Sequence, residues 1–244
     1  WEGNIILDTT EDNNYVIVDP SEEEIKEYQK KQKKFFRKIE AIKEGAKLPS
    51  VTQDGIKVEL YLNLGDTEQG KLSDIDRKLV AGVGLLRTEL LYMKSQDFPT
   101  EEEQMDKYLQ ILKGFSKEQS IIIRTLDIGA DKQLSYFKMI NEANPFLGLR
   151  GIRFSLRYRE IFETQLRAIL RLSNEKNIKI MYPMITTLLE VREANKVLEK
   201  VKGDLRKENI PFDENIEVGI MVEVPSVIMM AEAFAREIDF FSVG

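Results

Sequence analysis

Four short apolar runs of this chain each end in a charged side chain: Val83-Gly84-Leu85-Leu86 before Arg87, Ile121-Ile122-Ile123 before Arg124, Leu147-Gly148-Leu149 before Arg150, and Val218-Gly219-Ile220-Met221-Val222 before Glu223. Set side by side as parallel strands, these runs would gather three guanidinium groups and one carboxylate at one edge of a sheet, the edge at which α/β barrels carry their chemistry. Such a grouping suits a small, strongly anionic ligand together with a divalent metal.

Each residue type has its own reason. A guanidinium donates a planar fork of hydrogen bonds to phosphate or carboxylate and stays charged at any relevant pH. A single strand-end arginine is more often a structural ion pair, but three facing one glutamate are more than one carboxylate needs. Glu223 precedes Val224-Pro225, where a buried carboxylate is costly unless it is paired or metal-bound. It is either one of the one or two carboxylates that Mg²⁺ takes alongside substrate oxygens and water, or the rim partner of Arg150 or Arg124. The loop Thr125-Leu126-Asp127-Ile128-Gly129-Ala130-Asp131-Lys132 adds a glycine and, in Lys132, a further phosphate contact. Its Asp127, Asp131 and Lys132 serve as ordinary loop charges as readily as ligands.

The composition narrows the options. The 244 residues contain no histidine and no cysteine, which removes disulfides, zinc fingers, Ser-His-Asp triads, cysteine nucleophiles and histidine phosphorylation within these residues. Lys and Arg total 36 against 42 Asp and Glu, a formal net charge of -6, so nucleic acid is not an expected partner. No secretory leader and no apolar stretch of membrane-spanning length is visible, and a cytoplasmic location is expected. Trp1 and the abrupt end at Ser242-Val243-Gly244 are expected to be the ends of an excerpt.

The elements that must position these groups follow from periodicity and caps. Residues 1–20 read as a β-hairpin, with apolar stretches at Asn4 to Leu7 and Tyr15 to Val18. Ser21 and Glu24 form a capping box that opens a long amphipathic linker helix over 21–48. Its Lys30-Lys31-Gln32-Lys33-Lys34 run reads as a solvated face. From residue 49 strand, loop and helix repeat. Strands are predicted at Val58 to Leu62, Gly82 to Leu86, Ser120 to Arg124, Leu149 to Phe154, Ile178 to Pro183, Val218 to Val222 and Phe240 to Val243. Thr100 with Glu103 and Thr187 with Glu190 cap two of the intervening helices, and Ile161 to Leu172 carries a third apolar stripe. About seven β/α units fit a (β/α)₈ TIM-type barrel, truncated before its last β/α unit, better than a six-stranded open sheet.

The same residues carry a family resemblance. Gly82 to Met93, Ile123 to Lys132, Asn144 to Arg153, Val218 to Pro225 and Asp239 to Gly244 resemble, in order, blocks of the Enzyme I family of the bacterial phosphotransferase system, the phosphoenolpyruvate-protein phosphotransferases. The resemblance covers essentially the whole chain. Pyruvate phosphate dikinase and phosphoenolpyruvate synthase share a similar Gly-x-Gly-Leu-x-Arg-Thr-Glu block. The loop Arg124-Thr125-Leu126-Asp127-Ile128-Gly129-Ala130-Asp131-Lys132 resembles Enzyme I rather than either.

The resemblance implies a phosphoenolpyruvate-binding barrel in which Arg87 and Arg124 hold the phosphate and carboxylate, Arg150 and Lys132 add positive charge near the phosphoryl group, and Glu223 ligates Mg²⁺. It implies an enzyme (EC 2.7.3.9) that passes the phosphoryl group to a histidine on a preceding domain, releases pyruvate, and then phosphorylates the carrier HPr in sugar transport. Residues 1–20 would be the last hairpin of that phosphohistidine domain, 21–48 the linker, and 49–244 most of the barrel. The family's next block, with its second metal carboxylate, a further arginine and a catalytic cysteine, is absent, so no catalytic residue is expected in this chain and its own phosphoenolpyruvate affinity is expected to be weak or absent. The parent is expected to form a homodimer. A non-catalytic phosphoenolpyruvate-binding module, and a synthase or dikinase, are the alternatives.

Overall fold

A computed structural model describes residues 3–9, 14–45, 48–65, 77–129, 134–138, 142–144 and 147–244. The chain divides into two compact units, Trp1–Val58 and Glu59–Gly244. In the first, β1 (Ile5–Asp8) pairs antiparallel with β2 (Tyr15–Val18), followed by α1 (Glu22–Gly45). Glu24 accepts from the Ser21 amide at 2.8 Å and from its hydroxyl at 2.7 Å, as the capping pattern predicts. Lys31 reaches Asp8 at 2.8 Å, so one residue of the basic run is paired while Lys30, Lys33 and Lys34 face solvent.

The second unit is a mixed α/β structure whose six strands lie in chain order, β3-β4-β5-β6-β7-β8, all parallel, in a sheet that curls into a half-barrel. The strands are β3 (Tyr61–Leu64), β4 (Gly82–Arg87), β5 (Ser120–Arg124), β6 (Asn177–Tyr182), β7 (Val218–Val222) and β8 (Phe240–Val243). Between them come α2 (Glu89–Lys94), α3 (Glu101–Ile111), α4 (Ile152–Arg157), α5 (Arg159–Ser173), α6 (Leu188–Glu208), α7 (Pro225–Met229) and α8 (Ala231–Phe234). Neighbouring parallel strands need helical crossovers, and the buried faces of α3, α5 and α6 supply the apolar layer on the sheet. Val83, Ile121, Ile123, Ile178, Ile180 and Ile220 pack there against Tyr108, Leu112, Phe162, Leu166, Val191 and Leu198. Each such side chain contributes about 1.5–3 kcal/mol through burial.

Two strand expectations are corrected. Leu149 to Phe154 is not a strand. The chain turns at Gly151 (φ 55°) and enters α4, so the few apolar residues around Gly148 and Gly151 did not distinguish a strand from a helix approach. The first strand of the sheet begins at Tyr61 rather than Val58, because Val58 donates to Ser50 in a local turn and stays half exposed with Leu60.

The other two predicted capping boxes are present as well, at Thr100/Glu103 and Thr187/Glu190. Thr187→Ala is expected to cost about 1 kcal/mol, read as a lowered denaturation midpoint with an unchanged slope.

Burial pushes the phenols of Tyr92, Tyr108 and Tyr182 well above their usual value, and that of Tyr136 up to about 12. The fold therefore holds protons that the unfolded chain releases near pH 10, so stability should fall as pH rises from about 10 toward 12. Phenolate absorbance from these tyrosines should appear in one step with loss of helical circular dichroism. Gradual titration near pH 10 in an intact fold would contradict this.

Candidate anion-binding site

The carboxyl ends of β4 and β5 place Arg87 and Arg124 directly opposite each other in parallel register. Their surroundings differ. Arg87 is exposed and makes no ion pair among the described residues, whereas the Arg124 side chain is 7% exposed. Arg124 Nη2 donates to Glu89 at 2.6 Å and approaches Asp127 at 3.3 Å, and both carboxylates are buried. Its Nη1 faces the Met221 Sδ of β7 at 3.6 Å, and its buried Nε has no hydrogen-bond partner among the described residues. Arg124 thus lies across the inside of the curl, anchored on one side and offering weakly used donors on the other.

Arg150 does not sit at a strand end. It occupies the approach to α4, where Nε and Nη2 grip the two Asp127 oxygens at 3.1 and 3.2 Å. Asp127 therefore bridges Arg124 and Arg150. Gly129 and Gly151 permit this arrangement: a side chain on Gly129 (φ 126°) would meet Leu149 O at 2.7 Å, and one on Gly151 would meet Met184 at 2.9 Å.

Glu223 follows β7 and is not buried, contrary to the expectation for a strand-end carboxylate. It pairs with neither arginine. Its Oε1 accepts from the Met184 amide at 2.6 Å, and Met184 itself holds a left-handed φ of 56° just past β6. A Cβ on Gly151 would lie 2.9 Å from Met184, and Arg124 reaches Met221, two residues before Glu223, so the backbone beside Arg150 and the Arg124 guanidinium both approach the segments that carry Glu223 and its amide donor. Lys132, with Asp131, lies outside the described residues.

The expectation of three arginines facing a lone glutamate is corrected in its electrostatics, because Glu89 and Asp127 already balance two of the three. Glu89 was legible only as an acid two residues past a strand-end arginine, at the start of α2 where a helix N-terminus favours it. Among the described residues no group of three or more His, Cys, Asp or Glu is arranged to hold a metal. A polar cleft of about 380 Å³ lies instead at the amino ends of β5, β6 and β7, lined by Lys117, Lys176, Asn174 and Asp213 among others, away from the arginines.

A curled, parallel β/α sheet with guanidinium and carboxylate groups at the carboxyl ends of its strands has the architecture of a partial β/α barrel. Residues 40–244 match the family described as PEP-utilising enzyme, PEP-binding domain, and the chain belongs to that family. Proteins named phosphoenolpyruvate-protein phosphotransferase are similar to it: that of Priestia megaterium is 47% identical over 232 residues, that of Bacillus subtilis (strain 168) 46% over 238, and that of Staphylococcus carnosus (strain TM300) 44% over 229. These matches cover 94–95% of the chain but 39–40% of each relative, so the chain spans about two fifths of their length. Among the described residues no helix is long and apolar enough to cross a membrane.

Proposed function

We propose that the half-barrel binds phosphoenolpyruvate at the carboxyl edge of its sheet, as the substrate-binding part of a phosphoenolpyruvate-protein phosphotransferase. The observation that carries this reading is the pair Arg87 and Arg124, adjacent in register at the strand ends of a chain that matches a PEP-binding domain. Arg87 is exposed at the rim, while Arg124 retains Nη1 and Nε beyond its carboxylate partners. Two guanidinium forks suit a ligand that carries phosphate and carboxylate on one small frame. Arg150, with Lys132, adds positive charge where the phosphoryl oxygens gather.

Glu223 fits one ligand position of Mg²⁺: it lies at the mouth, is open to solvent, and has one oxygen oriented by the Met184 amide. Bound there with substrate oxygens and water, the ion would neutralise phosphoryl charge. With no histidine in these 244 residues, the phosphoryl acceptor lies elsewhere, and HPr is its proposed onward partner in sugar uptake. In the same reading residues 1–20 belong to a phosphohistidine domain, 21–48 link it to a (β/α)₈ barrel, the enzyme is cytoplasmic, and two barrels form a dimer.

The test uses the protein expressed from its complete reading frame. Labelled phosphoenolpyruvate with Mg²⁺ should phosphorylate HPr and leave AMP unphosphorylated. Transfer to AMP without transfer to HPr would assign a synthase or dikinase instead.

A further inference from the structure

A chain of buried hydrogen bonds runs beneath the arginines. Gln165, on the sheet-facing side of α5, is 0% exposed and lies in the same buried stripe as Phe162, Leu166 and Ile169. Its Oε1 accepts from the Leu126 amide at 2.9 Å, and its Nε2 donates to Thr88 Oγ1 at 3.1 Å. The Thr88 hydroxyl in turn donates to the Arg124 carbonyl at 2.9 Å. Tyr108 is buried on the adjacent α3, and its hydroxyl donates to Gln104. Further from the mouth, Gln104, likewise 0% exposed, accepts from Tyr92 at 3.0 Å and Tyr108 at 3.1 Å and donates to Pro99 O at 3.0 Å.

An amide in an apolar stripe is costly to bury unless its hydrogen bonds are made, and a leucine would fill the place without that demand. What Gln165 bonds to is therefore informative. Thr88 is the residue after Arg87, and Leu126 lies two residues past Arg124. One side chain thus ties together the two strand ends that carry the adjacent arginines, and it fixes the turn from which Asp127 reaches Arg124 and Arg150.

We propose that Gln165 is a positioning residue: it sets the separation of the β4 and β5 ends so that one small ligand engages both guanidinium groups. This rests on the phosphoenolpyruvate reading given above. Gln104 has the same side chain and the same burial but bonds to Pro99 and the tyrosines, which makes it the matched comparison.

The test uses Gln165→Leu, Gln165→Glu and Gln104→Leu in the protein from its complete reading frame. Three quantities are measured: phosphoenolpyruvate affinity by calorimetry, the thermal midpoint, and the rate at which phenylglyoxal modifies Arg124, read by peptide mass spectrometry. Gln165→Leu should weaken binding by about 10- to 100-fold, since misplacement on the order of 1 Å has that effect, and should speed modification of Arg124. Gln104→Leu should lower the midpoint and leave both other readouts close to those of the parent protein. The carboxyl that Gln165→Glu introduces can, while neutral, donate and accept as the amide does, but once ionised it cannot donate. Affinity of Gln165→Glu should therefore match the parent at acid pH and fall as pH rises, with the facing Tyr108 phenol held protonated throughout by burial.

Equal losses in the two leucine variants, or an unchanged Arg124 modification rate in Gln165→Leu, would overturn the proposal. Should Gln165→Leu not fold, the pH profile of Gln165→Glu decides, and a flat profile counts against it. Should the parent protein not bind phosphoenolpyruvate, that reading fails by itself, and the modification rates still decide the role of Gln165.

Discussion

Arg124→Met should abolish measurable phosphoenolpyruvate binding and destabilise the fold by about 3–5 kcal/mol, the usual cost of removing one partner from a buried ion pair. The reason lies in what remains. Glu89 and Asp127 are 2% and 1% exposed, and the loss of Arg124 takes from Glu89 its 2.6 Å partner and from Asp127 a guanidinium neighbour. Methionine keeps much of the volume, so the penalty reports charge rather than a cavity. Adding Glu89→Gln should recover a good part of the stability, because the residues are in contact and their effects are not additive. Binding should not return. Denaturant unfolding and calorimetric titration of the single and double variants separate the two effects. A double variant that regains affinity would show that Arg124 serves packing alone.

Phe154→Ala should cost about 3–5 kcal/mol, the range for removing a fully buried phenylalanine. Phe154 lies at the centre of a second apolar cluster with Tyr92, Leu126, Ile128 and Leu134. Its ring meets those of Phe137 at 5.8 Å and Tyr158 at 4.7 Å. Leu126 and Ile128 flank Asp127, so this cluster is the floor on which the Asp127 clamp rests. At roughly 2–4 °C per kcal/mol for a domain of this size, the thermal midpoint should drop by about 6–20 °C. The Asp127 grip on Arg150 should loosen with it, lowering phosphoenolpyruvate affinity even well below the new midpoint. A shift under about 2 °C would mean that neighbouring rings refill the space.

Sequence periodicity and caps located β4, β5, β6, β7 and β8 and the three long helices that cover the sheet, because alternation of apolar and capping residues is a local property. Arg87, Arg124 and Glu223 were legible for the same reason, as charges that end apolar runs. Arg150 was placed on a strand because Leu147-Gly148-Leu149 is too short to reveal its period; the turn at Gly151 depends on close approach to Met184, far along the chain. The partners of Arg124 were not legible. Glu89, Asp127, Thr88 and Gln165 look like ordinary surface or helix residues in a linear reading. Only the parallel register that sets β4 beside β5, and α5 beneath both, turns them into one buried polar network. Local chemistry pointed to the charges that end apolar runs, while the groups that hold Arg124 in place emerged only from long-range contacts.

The most direct measurement is a crystal structure of the protein grown with phosphoenolpyruvate and Mg²⁺. The ligand should lie at the carboxyl edge of the sheet with its phosphate and carboxylate oxygens within hydrogen-bonding distance of Arg87 and Arg124, and with the metal against Glu223. Density for the ligand in the cleft between Lys117 and Lys176 at the opposite edge, with Arg124 and Arg150 still held only by carboxylates of the chain, would contradict the assignment.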